Sequence, residues 1–281
     1  MQLHYVKLNP SGNTTVLILD PVPEDQLADV ARRVMDGQSL CAEQVGFCRP
    51  AADSRAVLRM HMAGGEFCGN ASRSFAVWLA LGGLETLGKA YALRPMPQGG
   101  RKIDIEVSGH NGILSVDVQG NGSQNGCFAA VDMPLPLAVE HGESRELGPY
   151  SMVRFEGITH LVLPAAAPDA DLLPAARCLL RSRGVQSMDL GLMFLDEKNA
   201  RMTPLVCIEA VGSQVWESSC GSGSVAAACA MADRSGRDVC DLTLHQPGGS
   251  LCVSAEREGG RIIRARLAGD VAISSYGFVL I

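Results

Sequence analysis

Two short stretches hold the residues best suited to chemistry, Glu66-Phe67-Cys68-Gly69-Asn70-Ala71-Ser72 and Ser218-Ser219-Cys220-Gly221-Ser222-Gly223-Ser224. Each sets one cysteine before a turn of small residues, and each turn runs into an apolar, alanine-rich segment (74–80 and 225–231). The pattern predicts loop, cysteine and helix N-terminus, twice, about half a chain apart. A helix N-terminus leaves backbone N–H groups unpaired and carries the positive end of the macrodipole. A thiol held there loses its proton more readily, and the thiolate is the reactive form. The same N–H groups suit an anion such as a carboxylate. Two such ends gripping one carboxylate would place a sulfur on each side of the adjacent carbon. That layout removes a proton from one face and returns one to the other, as racemases and epimerases do.

The bland alternative is that each cysteine is a small buried hydrophobe and each turn an ordinary entry to a helix. The pairing of the two motifs favours chemistry over that reading. Neither stretch continues into the Gly-Lys-Ser/Thr of a phosphate-binding loop. The other cysteines that lie in or beside apolar segments (Cys41, Cys127, Cys178, Cys207, Cys229 and Cys252) read as packing.

The elements that must position these residues are mostly strands. Period-2 and short apolar runs predict strands at 3–7, 15–19, 56–62, 103–107, 113–118 and 127–133 in the first half. The second half predicts them at 152–156, 161–163, 190–195, 205–209, 242–244, 251–255 and 262–267. Helices are expected at 24–35, 69–81, 170–183 and 221–233. Each half thus offers several strands and two helices, a duplicated α+β module. The Pro-containing run Met133-Pro134-Leu135-Pro136 and the polar stretch 140–146 read as the linker between domains 1–132 and 133–270.

At 281 residues, 47% hydrophobic and 19% charged, the chain is long enough for two ordinary cores and too apolar to be disordered. A net charge of −6 with scattered basic residues gives no electrostatic reason to expect nucleic acid or a membrane as partner. No apolar run has signal-peptide or bilayer-spanning length. A cytoplasmic protein is expected, its ten cysteines free thiols rather than a disulfide framework. No Cys or His spacing suits zinc, so no metal is expected.

The ordered set of motifs resembles the diaminopimelate epimerase family. It comprises Gly12-Asn13, Val45-Gly46-Phe47, Cys68-Gly69-Asn70, Gly157-Ile158-Thr159-His160, Glu209, Cys220-Gly221-Ser222-Gly223 and Pro247-Gly248-Gly249-Ser250. The resemblance spans nearly the whole chain. It implies an α+β fold of two pseudo-symmetric domains, each a mostly antiparallel sheet or barrel around a central helix. It also implies a site between the domains, a final strand 271–281 completing the first domain, and no pyridoxal phosphate or other cofactor. A homodimer is the expected assembly.

Carried over residue by residue, the resemblance makes Cys68 and Cys220 the acid/base thiols. Gly69, Asn70, Gly221 and Ser222 would hold the α-carboxylate, Asn13 would line the site, and Glu209 would take the α-ammonium group. His160 is expected either to touch the substrate or to be a structural imidazole. Departures bear on the substrate. The arginine that follows the family's glutamate is Ala210 here, one asparagine is Ile158, another aligns with Asp189, and a third falls near Met62. Without the arginine a distal carboxylate would be buried unpaired, at several kcal/mol, so diaminopimelate is disfavoured. Asp189 and Glu43 could instead pair with a basic side chain. The pattern is closest to cofactor-independent histidine racemases, some of which serve metallophore pathways. Histidine is the first expectation, followed by diaminobutyrate, ornithine and lysine. Rival readings are a double-bond isomerase of a small carboxylic acid, a proline racemase relative, and a non-catalytic amino-acid-binding module. Arg73 is expected to cap or pair on the surface, and His61 and His245 to be structural.

Overall fold

The computed structural model describes residues 1–87, 94–96, 99–164, 167–185, 189–209 and 213–281. The fold is α+β and dominated by strand. The chain divides into two compact units, Met1–Asp132 with Ala268–Ile281, and Met133–Leu267.

The first unit contains β1 (Gln2–Asn9), β2 (Thr15–Ile18), α1 (Leu27–Met35), β3 (Gln44–Arg49), β4 (Arg59–Met62), α2 (Gly69–Trp78), α3 (Leu84–Thr86), β5 (Arg94–Pro95), β6 (Arg101–Val107), β7 (Leu114–Gly120) and β8 (Gly126–Asp132). The second contains β9 (Ala138–Ser144), β10 (Gly148–Arg154), β11 (Thr159–Leu163), α4 (Leu173–Ser182), β12 (Leu190–Asp196), β13 (Arg201–Ile208), β14 (Ser213–Trp216), α5 (Gly221–Ser235), β15 (Val239–Gln246) and β16 (Gly249–Glu258). The last strand, β17 (Arg261–Leu280), begins in the second unit and ends in the first.

In the first unit β1 lies antiparallel to β2 and to the end of β17, with Gln2 opposite Leu280. β2 and β3 are parallel, and α1 forms their crossover. β4 and β6 are parallel as well, and α2 lies within that crossover. The remaining neighbours, including β6–β7 and β7–β8, are antiparallel. α1 is amphipathic: Leu27, Val30, Ala31 and Val34 recur at helical spacing and pack on Leu3, Val16, Ile18 and Phe47. α2 differs, because all ten of its residues are buried, against β2, β6, β7 and β8. It ends in a wider turn over Leu79–Gly83, where Gly82 takes φ 95°.

In the second unit β11 and β12 are parallel with α4 between them, and β13 and β15 are parallel with α5 between them. β9–β10, β10–β11, β12–β13 and β15–β16 are antiparallel. α4 presents Leu173, Ala176 and Leu180 to Leu161, Leu163, Leu190 and Leu192. α5 is enclosed by strands, and its run Val225-Ala226-Ala227-Ala228-Cys229-Ala230 is buried throughout. Small side chains let the surrounding backbone approach closely, and Gly236 in the left-handed region stops the helix.

Several sequence-based expectations are corrected. The polar stretch taken as linker forms β9, paired residue for residue with β10; its polar side chains sit on a partly solvated face. Gln44–Arg49, not among the expected strands, is β3, and the strand expected from residue 56 starts at Arg59. The last strand is twenty residues long because it serves both units. Cys41 and Cys178 are exposed rather than packed. Arg73 is not on the surface: α2 has no solvent face, and Arg73 is fully buried.

Candidate active site

Both motif cysteines are N-cap residues with extended backbone, Cys68 for α2 and Cys220 for α5. Cys68 Sγ accepts the Ala71 N–H at 3.3 Å, and Cys220 Sγ accepts the Gly223 N–H at 3.4 Å. In each case a serine one residue further on donates back to the cysteine carbonyl, Ser72 at 2.8 Å and Ser224 at 2.6 Å. The sulfur therefore does the work an oxygen does in an ordinary N-cap. Gly69 and Asn70, and Gly221 and Ser222, lie ahead of each helical ladder, where backbone N–H groups face outward.

In the first unit Cys68 meets Gln44, the first residue of β3. Cys68 Sγ donates to Gln44 Oε1 at 2.8 Å. Next to Gln44, Glu43 accepts a hydrogen bond from Asn13 Nδ2 at 3.0 Å. Asn13 is buried, and its Oδ1 has no hydrogen-bond partner among the described residues. The structure thus joins Asn13 with Glu43, and places Gln44 on the thiol. Gln44 escaped the sequence analysis, which had no signal for which face of a strand it occupies.

Around Cys220 the second unit gathers another set. The Cys220 N–H donates to Gln246 Oε1 at 2.8 Å, and Gln246 Nε2 donates to Ser224 Oγ at 2.9 Å. Ser222 Oγ lies 3.7 Å from Cys220 Sγ and 3.0 Å from His160 Nε2. His160 is wholly buried, and desolvation pushes its pKa down to about 4, so the ring is neutral near pH 7. Its Nδ1 has no hydrogen-bond partner among the described residues and sits where a Gly191 side chain would be. Burial raises the Cys220 thiol well above its ordinary value, the nearby Glu217 carboxylate raises it further, and the Gly223 N–H and Ser222 hydroxyl pull the other way. This overturns the expectation that a helix N-terminus makes Cys220 more acidic: loss of water and a neighbouring negative charge outweigh a few N–H dipoles.

Asp189 and Glu209 meet through one bond, Asp189 Oδ1 accepting the Glu209 N–H at 2.8 Å, and the Glu209 side chain is exposed. Met62 is buried on β4, and Ile158 is half-buried before β11. Ala210 lies outside the described residues. His61 lies on β4, and His245, on β15, meets Ser250 Oγ at 2.8 Å. Among the described residues no cluster of three or more His, Cys, Asp or Glu could hold a metal ion, and no helix is long and apolar enough to cross a membrane.

A family model described as "Histidine racemase CntK N-terminal domain" matches residues 2–280. The chain is 32% identical over 231 residues to a protein named histidine racemase from Fusobacterium nucleatum, covering 80% of this chain and 78% of the relative. A protein of the same name from Staphylococcus aureus is 27% identical over 265 residues, 91% of this chain and 89% of the relative. Among solved structures, a hydroxyproline epimerase from Agrobacterium vitis reaches a TM-score of 0.64 at 14% identity, over 99% of this chain and 92% of that one, a likeness of fold. With a family match over almost its full length and two such relatives, the chain belongs to the histidine racemase family and is an isomerase of the racemase class.

Proposed function

We propose that the protein interconverts L- and D-histidine by a two-base mechanism, with Cys68 and Cys220 as the two bases and no organic cofactor or metal. The observation that carries this reading is the shared geometry of the two thiols. Each is an N-cap sulfur accepting the third N–H of a buried helix, with two further N–H groups ahead of the ladder.

In the proposed step a thiolate takes the Cα proton and the bonding electron pair spreads onto the carboxylate. The backbone of Gly69, Asn70, Gly221 and Ser222 takes up that charge. The opposite thiol then gives its proton to the other face, so the two sulfurs exchange protonation states each turnover. Burial and Glu217 favour the protonated form of Cys220, so Cys220 starts as the donor. Glu209 holds the α-ammonium group protonated, which acidifies Cα inductively. Asn13, Glu43 and Asp189 supply the polar and acidic surroundings of a basic side chain, and Ser222 ties His160 to the carboxylate site. The relatives named histidine racemase support histidine over diaminobutyrate, ornithine and lysine. We also propose that the two units are pseudo-symmetric copies; in each, the helix that follows the cysteine joins two parallel strands.

The test is Cα deuteration in D2O, followed by proton NMR with chiral separation, starting from each enantiomer of histidine. Diaminobutyrate, ornithine, lysine and meso-diaminopimelate serve as competitors, and the protein is first dialysed against chelator. Wild type should deuterate both enantiomers of histidine, and Cys68→Ser and Cys220→Ser should each abolish racemisation. Full activity in either variant defeats the two-base scheme, and faster turnover of another amino acid defeats the substrate assignment.

A further inference from the structure

Arg73 is a large charged residue with no exposed surface, in the second turn of α2. A buried guanidinium stays protonated and can only donate hydrogen bonds, so it must be held by acceptors. Two of its acceptors come from different elements, β17 and α2 itself. Its Nη1 donates to the Gly269 carbonyl at 3.0 Å, and its Nη2 donates to Asn70 Oδ1 at 2.8 Å. Gly269 lies within β17, in the part that belongs to the first unit. One end of the guanidinium is therefore fixed by strand backbone while the other grips a side chain three residues earlier on the same helix face.

The grip has a directional consequence. Because guanidinium has no acceptor, the Asn70 amide must turn its oxygen towards Arg73 and its NH2 away. Asn70 is only 3% exposed, and its Nδ2 makes no hydrogen bond with the described residues. Its Nδ2 is not among the fully buried side-chain atoms that lack a partner, so the small exposed part of Asn70 leaves this nitrogen accessible. A donor with no protein partner on a nearly buried side chain, two residues after Cys68, is open to a ligand acceptor.

We propose that Arg73 is a positioning residue: by holding Asn70 Oδ1 it presents the Asn70 amide N–H to the carboxylate of the bound amino acid. This rests on the reading of the α2 N-terminus as a carboxylate site. It adds a side-chain donor to the backbone donors and a named residue that orients it. Lysine cannot replace arginine here, since a single ammonium on a flexible stem does not span two acceptors in fixed directions.

The experiment compares wild type, Arg73→Lys, Asn70→Ala, the double variant and Asn70→Asp, by steady-state racemisation of histidine and by calorimetric titration with L-histidine. A hydrogen bond to a charged group is worth about 1.5–3 kcal/mol, so Arg73→Lys and Asn70→Ala should each weaken substrate affinity about 10- to 150-fold, read in the titration and as a raised KM. A merely structural role would lower the active fraction, and hence kcat, with KM unchanged. The double variant should be no weaker than Asn70→Ala, because Arg73 acts through Asn70. Additive losses, or wild-type KM in Arg73→Lys, overturn the inference. Should Arg73→Lys fail to fold, Asn70→Asp decides. It keeps an acceptor for Arg73 and loses the amide donors, so it should bind histidine more weakly than Asn70→Ala; wild-type affinity overturns the inference. Wild-type protein that neither binds nor exchanges any of the amino acids tested overturns the proposed reaction and this inference with it. A competent wild type matched by all variants overturns the inference alone.

Discussion

Glu217→Gln separates the effect of a neighbouring charge from that of burial on Cys220. Burial is the largest cause of its raised pKa, and the Glu217 carboxylate adds to it both by charge and by accepting a hydrogen bond from the thiol. The substitution is nearly isosteric, leaves burial in place and removes the charge. Losing a charged hydrogen bond that favours the thiol is worth about 1.5–3 kcal/mol, so the thiolate population below its midpoint should rise roughly 10- to 150-fold. Intrinsic nucleophilicity falls as the thiol becomes more acidic, with a Brønsted coefficient of about 0.4–0.5, which removes close to the square root of that gain. Alkylation of Cys220 should therefore run about 3- to 12-fold faster in Glu217→Gln at a fixed pH near 8. The assay is iodoacetamide labelling in a Cys68→Ser background, with the Cys220 peptide quantified by mass spectrometry over time. Both proteins share the same access to the thiol, so the ratio reports ionisation. An unchanged or slower rate would show that Glu217 does not act on Cys220 and that burial alone sets its state.

Two further outcomes follow from His160. With its pKa at about 4 in the folded protein against an ordinary 6.5, the unfolded chain takes up a proton below pH 6.5 that the folded chain refuses until near pH 4. Stability is thus full above pH 6.5 and declines as pH falls from 6.5 towards 4, by about 3 kcal/mol in all. Urea midpoints measured across that range should fall less steeply in His160→Gln than in wild type, and parallel curves would refute the assignment. Gly191→Ala would set a methyl 2.2 Å from His160 Nδ1 and 2.6 Å from Met193 Cε. It should cost about 1–3 kcal/mol of stability and displace the ring from Ser222; a wild-type urea midpoint would show that the pocket has room to give.

Much of the local structure was legible from residue order alone. A cysteine followed by Gly-Asn-Ala-Ser or Gly-Ser-Gly-Ser and then by alanines reads as an N-cap and a helix, and both helices begin where those residues place them. Leu27, Val30, Ala31 and Val34 announced the buried face of α1. Where reading failed, the missing information was long-range. The polar residues of β9 look like linker until β10 pairs with them. Arg73 looks like a surface residue until strands enclose α2 on every side.

The sequence by itself determined the chemistry on offer: two thiols, each capping a helix, in a chain whose motifs run in the order of one family. Those are matters of local propensity and spacing, written in neighbouring residues. Tertiary structure alone decided the state of those groups. It set Gln44 on Cys68, buried Cys220 beside Glu217, sealed His160 against Ser222 and threaded Arg73 between Gly269 and Asn70. Solvation and hydrogen bonding depend on residues far apart in the chain, and the free energy of a charge depends on how much water is left around it.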